Sequence, residues 1–237
     1  MVYSKPGGVD TIEIVNCSDP EPGPEEVCVR VHRAGVNFAE LMMRQGIYGS
    51  NPEFPFTPGY EASGEVIGLG DRVTTHKIGD RVLAMTGFGG YSEIVCLDSS
   101  RVVPIPKSVS FEQAAAIPVT YGTSFHMLVH LGRIEKGDTV LIHHAAGGVG
   151  TAVAQLCEIL GASLVIGTAS GPKREFVESM GVRFVDRDVE DFVKVCKEMT
   201  DGKGVHHAID PVGGKHLMRS FNSLRKGGKL YYFGASA

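Results

Sequence analysis

The run Ala145-Ala146-Gly147-Gly148-Val149-Gly150 directly follows an apolar stretch, Val140-Leu141-Ile142, and leads into a segment where Val149, Val153, Leu156, Cys157 and Leu160 share one face. A strand, a glycine turn and a helix with its apolar stripe at a 3.6-residue period belong to a parallel sheet with helices packed on it. Gly147 and Gly148 let the backbone turn tightly and approach a pyrophosphate, while the helix N-terminus offers free N–H groups and partial positive charge. Gly150 lets helix and strand pack closely. Ala145 stands where G-x-G-x-x-G has its first glycine, so the motif is weighed by its position. The competing reading is a plain strand–turn–helix connection.

From Gly137 onward the same order repeats. Strands are predicted over 139–143, 164–167, 183–185, 206–209 and 229–233, and helices over 149–160, 173–180, 189–199 and 214–224. Before Val119 the texture differs. Pro20, Pro22, Pro24, Pro52, Pro55, Pro58, Pro104 and Pro106 punctuate short apolar runs, the pattern of an irregular β-barrel-like domain. The predicted fold class is α/β, with a β-rich domain over 1–118 in front of a Rossmann-like parallel-sheet domain over 119–237.

A net charge of -4 over 237 residues gives no broad cationic surface, so nucleic acid is not an expected partner. The start lacks the apolar core of a signal peptide, and no uncharged run approaches the ~18 residues needed to cross a bilayer. Cys17, Cys28, Cys96, Cys157 and Cys196 are odd in number and never spaced C-x-x-C, which signals neither a disulfide framework nor a thiolate zinc site. A reducing, cytoplasmic location is expected. The adjacent pairs His143-His144 and His206-His207 are read as strand-end residues facing opposite sides, without the spaced partner a metal needs. No metal site is predicted, and near the proposed cleft no Ser/His/Asp set or paired carboxylates are read.

Where the second strand ends, an NAD-preferring site would carry an acid for the ribose 2′-hydroxyl. The run here is Ile166-Gly167-Thr168-Ala169-Ser170-Gly171-Pro172-Lys173-Arg174, which offers hydroxyls and cations to a 2′-phosphate. Solvated charges at a helix start are the alternative.

The segments Val36-Asn37-Phe38-Ala39-Glu40-Leu41-Met42, Arg44-Gln45-Gly46, Pro118-Val119-Thr120-Tyr121 and Gly167-Thr168-Ala169-Ser170, together with the glycine turn, carry a resemblance over nearly the whole chain. The chain resembles the zinc-independent quinone oxidoreductase branch of the medium-chain dehydrogenase/reductases, its VAT-1-like members in particular. Zinc alcohol dehydrogenases of that superfamily place a cysteine where this chain has Asn37 and a histidine where it has Tyr60. The resemblance implies a GroES-like first domain and hydride transfer from NADPH to a small-molecule quinone or α,β-unsaturated carbonyl. It assigns Gly147, Gly148, Val149 and Gly150 to the pyrophosphate and Thr168, Ser170 and Lys173 to the 2′-phosphate. Thr123, Phe233 and Gly234 fall on the nicotinamide side, Asn37 and Tyr48 at the substrate end. Arg187 replaces the family's tyrosine in I-D-Y and is a candidate phosphate ligand. Relatives continue past the end of this chain, so it reads as C-terminally truncated, with a homodimer expected of the full-length protein. A non-catalytic NADP(H)-binding protein is the alternative function.

Overall fold

In the computed structural model, which describes residues 1–49 and 51–234, the proline-punctuated half folds as antiparallel sheet and the glycine-turn half as parallel sheet. The chain divides into two units, Met1–Val119 and Thr120–Ala237.

In the first unit a short ribbon, β1 (Val2–Tyr3) with β2 (Ile12–Glu13), precedes β3 (Glu26–Ala34), α1 (Phe38–Arg44), β4 (Ala62–Leu69), β5 (Arg81–Ala84), β6 (Ile94–Asp98), β7 (Val102–Pro104) and α2 (Phe111–Ala115). The five longer-range strands pair in the order β6-β3-β4-β5-β7, all antiparallel. Their core is Val27, Val29, Val66, Val82, Val95, Leu97 and Val102, all but Leu97 β-branched and suited to a pleated surface buried on one face. The structure departs from the cysteine reading here. Cys28 lies opposite Cys96 on β3 and β6, and the two are disulfide-bonded. They are 68 residues apart in sequence, a lateral pairing that no local spacing reveals.

The second unit begins within α3 (Pro118–Phe125) and continues through a π-helical segment over His126–Gly132. Its elements are β8 (Thr139–His143), α4 (Gly148–Leu160), β9 (Leu164–Ala169), α5 (Arg174–Ser179), β10 (Arg183–Asp186), α6 (Phe192–Glu198), β11 (Val205–Asp210), α7 (Gly214–Asn222) and β12 (Leu224–Tyr232). The sheet order is β10-β9-β8-β11-β12, every pair parallel. Winding runs outward from β8 through β9 to β10, then returns to the other side of β8 with β11. The switch point between β8 and β11 is where ligands bind in such sheets, outside the carboxyl ends of the strands.

Helices cover both faces, as parallel strands require. Val140 and Ile142 pack with Val153, Cys157, Phe184 and Ile209 on one side. Their sequence neighbour Leu141 packs with Ile166, Val185, Phe192 and Ala208 on the other. The predicted stripe of α4 holds: Val153 and Cys157 are fully buried, and Val149, Leu156 and Leu160 lie against the same core.

Boundaries move where caps or breakers decide them. Pro172 sits in a 3-10 turn over Gly171–Lys173, so α5 starts at Arg174. The Asp191 carboxylate accepts the Val193 amide at 3.0 Å and starts α6 later than the apolar pattern suggests. The last strand begins at Leu224 and carries the polar run Arg225-Lys226-Gly227-Gly228, accommodated by an irregularity opposite Val205/His207. Among the described residues β12 is an edge strand, and no helix is long and apolar enough to cross a membrane.

Candidate functional site

At the carboxyl end of β8 the chain turns through His144, which has φ 53°, and continues Ala145–Gly147 into α4. The Ala145 amide donates to the Thr168 carbonyl at 3.0 Å and the Gly147 amide to the His144 carbonyl at 2.8 Å, so the turn is pinned to β9 and to itself. A Cβ on Gly150 would lie 2.4 Å from the His144 oxygen and 2.7 Å from the Ala145 Cα. Only glycine permits that approach. Gly147 and Gly148 are exposed at the start of the thirteen-residue α4, leaving its first amides open to an anion. The cradle therefore fits a dinucleotide pyrophosphate.

Behind this turn lies a buried polar chain that the sequence reading missed. His143 Nδ1 is 2.9 Å from Thr168 Oγ1, and its Nε2 is 3.0 Å from Ser220 Oγ. Ser220 donates to Asp210 Oδ2 at 2.5 Å, and His216 Nδ1 reaches the same oxygen at 3.2 Å. Asp210 Oδ1 accepts the amides of Val212 and Gly213 at 2.7 and 3.0 Å, which shapes the turn from β11 into α7. Burial alone would raise the Asp210 pKa, but the bonds from His216, Ser220 and the two amides outweigh it and hold the group below the ordinary carboxylate range. Burial, then the neighbouring His216, pushes His143 down to about 3.

An ionised Asp210 only accepts, so the Ser220 proton points to it and Ser220 accepts from His143 Nε2–H. His143 Nδ1 is then a lone pair, and Thr168 must donate to it. The single Thr168 proton is thus committed, and the hydroxyl of this buried residue can only accept from any further partner.

Three residues of this chain, His143, Asp210 and His216, bring ligand atoms within 4.8 Å of one another. The sequence gives His143 no nearby spaced partner; in the structure Asp210 and His216, on β11 and α7, are remote in sequence and come next to it across the switch point. The geometry is not that of a nucleophile, since Ser220 is fully buried and its proton faces the acid. For His206-His207 the expectation of opposite facing is corrected. His206 and His207 both reach Asp138, at 3.4 and 2.9 Å, because the ladder shifts register between Val205 and His207.

At the ends of β9 and β10 the structure places Ser170, Lys173 and Arg187 together. The Arg187 amide donates to the Ala169 carbonyl at 3.0 Å and the Lys173 amide to the Ser170 carbonyl at 2.9 Å. Both cationic side chains are exposed. Arg187 pairs with Asp188 at 3.6 Å on the surface. Phe233 and Gly234 follow β12: the Phe233 amide donates to the Asp210 carbonyl at 3.3 Å, and a Cβ on Gly234 would meet the Pro211 oxygen at 2.9 Å. They flank the turn that Asp210 shapes. Thr123 lies half-buried on α3.

In the first unit, Asn37 precedes α1 and its Nδ2 donates to Glu61 Oε1 at 2.8 Å. The other Glu61 oxygen accepts the Val119 amide at 2.8 Å. Glu40, also fully buried, accepts the Asn37 amide at 2.7 Å, the Tyr60 amide at 2.8 Å and the Tyr91 hydroxyl at 2.5 Å. Both buried acids serve to fix backbone. Burial raises the Glu61 pKa, against the lowering effect of its bonds from Val119 and Asn37. Tyr48 sits beside Tyr60, whose own ionisation is pushed up by burial and by the Tyr48 hydroxyl. The signal for Glu40 was in the sequence as Asn37-x-x-Glu40, a capping box.

The alcohol dehydrogenase GroES-like domain family matches residues 23–107, and the zinc-binding dehydrogenase family residues 148–237. The quinone oxidoreductase of Pseudomonas syringae pv. Tomato DC3000 superposes with a TM-score of 0.92 at 36% identity, over 99% of this chain and 72% of that one. The chain belongs to the quinone oxidoreductase branch of the medium-chain dehydrogenase/reductases. The Escherichia coli quinone oxidoreductase of this branch, solved with NADPH, gives a TM-score of 0.93 at 32% identity over 100% of this chain and 73% of its own. The synaptic vesicle membrane protein VAT-1 homolog of Danio rerio is 39% identical over 238 residues. That alignment takes in 100% of this chain and 49% of the relative, so the chain spans about half the length of this VAT-1-type relative.

Proposed function

We propose that this quinone oxidoreductase relative binds NADPH on the carboxyl edge of its parallel sheet and reduces a quinone or α,β-unsaturated carbonyl without zinc. The observation that carries this reading is the close-packed glycine turn opening α4 beside exposed Lys173 and Arg187 at the ends of β9 and β10. The bound nicotinamide would supply the hydride. Amides at Gly147–Gly150 would hold the pyrophosphate, and Ser170, Lys173 and Arg187 would donate to the 2′-phosphate. Thr168, its proton engaged by His143, would shape this end of the site without donating to phosphate. Thr123, Phe233 and Gly234 would flank the nicotinamide, the last two placed by the Asp210 turn. Asn37 would stay fixed by Glu61 while Tyr48 offers its phenol to the substrate oxygen, which needs one proton for each hydride received.

A cytoplasmic enzyme that dimerises when full length completes the proposal. Titration of the purified chain with NADPH and NADH, followed by a 1,4-quinone while the nicotinamide absorbance is recorded, tests it. Tight NADPH binding with quinone-dependent oxidation is the expected result. Binding without oxidation favours a non-catalytic NADP(H)-binding role, and absence of binding removes the cofactor reading altogether.

A further inference from the structure

We propose that His143, Asp210 and His216 form a binding site for one zinc ion inside the second unit, at the place now filled by the Ser220 hydroxyl. The inference goes beyond the cofactor reading and does not depend on it. Nor is this the zinc position of the alcohol dehydrogenases, whose cysteine and histidine fall at Asn37 and Tyr60 in the first unit.

The donors converge on one point. Ser220 Oγ lies 3.0 Å from His143 Nε2, 2.5 Å from Asp210 Oδ2 and 3.4 Å from His216 Nδ1. The ligand atoms of the three residues are all within 4.8 Å of one another. Two imidazoles, one carboxylate and a water are a four-coordinate set of the kind zinc takes, at about 2.0–2.2 Å from each nitrogen or oxygen. An ion at that focus draws in Asp210 least and His216 furthest. His216 is the member with room to move, its side chain being 25% exposed, and its open side admits the ion and the water. The other His-His-Asp group does not converge in this way: His206 and His207 reach different oxygens of Asp138, with ring centroids 6.5 Å apart.

The two buried ligands are oriented from behind. Thr168 Oγ1 holds the second nitrogen of His143 at 2.9 Å, and the amides of Val212 and Gly213 hold the second oxygen of Asp210. Phe192 forms an apolar wall against both imidazoles, with centroids 4.6 and 5.1 Å away. Arg219, stacked over Phe192, is paired with Asp191 at 2.9 Å, which offsets its charge. Each displaced proton has somewhere to go. The Ser220 hydroxyl turns to the His216 carbonyl, already 3.3 Å away and the ordinary acceptor for a serine inside a helix. The His143 proton moves from Nε2 to Nδ1, where the Thr168 hydroxyl turns to accept it. His216 gives up its Nδ1 proton through the exposed side of the ring. Zinc bound in this way ties β8, β11 and α7 together and stabilises the second unit.

The test is calorimetric titration of the chelator-treated, dialysed chain with zinc, with the visible spectrum of cobalt(II) as a report on geometry. Expected are one equivalent bound, a four-coordinate cobalt spectrum and a raised thermal midpoint. His216→Ala should weaken binding by at least about tenfold, a loss that even an outer partner of a ligand can cause. Ser220→Ala removes the hydroxyl that the ion displaces and should tighten binding about fivefold, the equivalent of one net hydrogen bond. That gain keeps the test decisive if His216→Ala does not fold. His126 and His130 form an exposed pair with centroids 5.6 Å apart, and replacing both by alanine should leave zinc binding unchanged. Absence of zinc binding overturns the proposal. So does binding that survives His216→Ala and is lost with the His126 and His130 pair, or a Ser220→Ala protein that binds zinc no more tightly than wild type.

Discussion

His143 donates from one ring nitrogen to Ser220 and accepts at the other from Thr168, so a second proton on the ring would break the chain. Its folded-state pKa of about 3 lies below the unfolded value of 6.5. Between those values the unfolded state binds more protons, so stability is complete above pH 6.5 and declines as pH falls toward 3. The limiting slope is about 1.4 kcal/mol per pH unit. Urea unfolding at pH 7, 6, 5 and 4 should show the decline, and His143→Gln should flatten it between pH 6 and 4; an equal slope in both proteins would sink the assignment. Asp210 adds a loss in the same direction at lower pH, from its ordinary value downward. Arg187→Ala should weaken NADPH binding by roughly ten- to a hundredfold and leave NADH binding alone, since a charge-assisted bond contributes about 1.5–3 kcal/mol. For Tyr48→Phe, kcat with a quinone is expected to fall with NADPH affinity unchanged; full turnover would mean that the ring only packs.

Elements were legible in the sequence where one face repeats, and obscure where pairing is lateral. The glycine turn and α4 could be read from residues 140–160 because the strand, the turn and the apolar stripe are consecutive. The Asp210 turn could not, since its partners Ser220 and His216 on α7 and His143 on β8 meet it only when β11 docks beside β8. The register shift that turns both His206 and His207 toward Asp138 was equally hidden, because period-two alternation assumes an unbroken ladder. Gly150 is where element packing is tightest. Gly150→Val would force its side chain into the His144 carbonyl and the Ala145 backbone, so α4 must shift away from β8. Loss of NADPH binding with a stability cost of at least about 2 kcal/mol is expected. A variant binding NADPH normally would show that the turn is not the pyrophosphate cradle.

Each of the two units has its own core. Val27, Val29 and Val82 anchor one, while Ile142, Val153 and Phe184 anchor the other. Such chains depart from a single two-state transition. Phe184→Ala, at a site of 0% exposure, should cost about 3–5 kcal/mol in the unit of residues 120–237 and leave the transition of residues 1–119 in place. NADPH at a hundred times its Kd should stabilise the same unit by about 2.7 kcal/mol. Calorimetry that shows a single transition moving as a whole in both experiments would contradict this independence. The two-domain plan was readable because proline punctuation and glycine-turn repeats are long-range textures, whereas the Cys28–Cys96 bond needed the β3–β6 register.

The parallel sheet ends at β12, whose outer rim has no strand partner among the described residues. Such a rim is a template: its spare amides and carbonyls are spaced to receive another strand, whether from more of the same polypeptide or from another copy. Arg225, Lys226 and Lys229 lie along it. Two such rims meet like charge to like charge, which makes salt the variable that governs how far concentrated solutions of this chain self-associate.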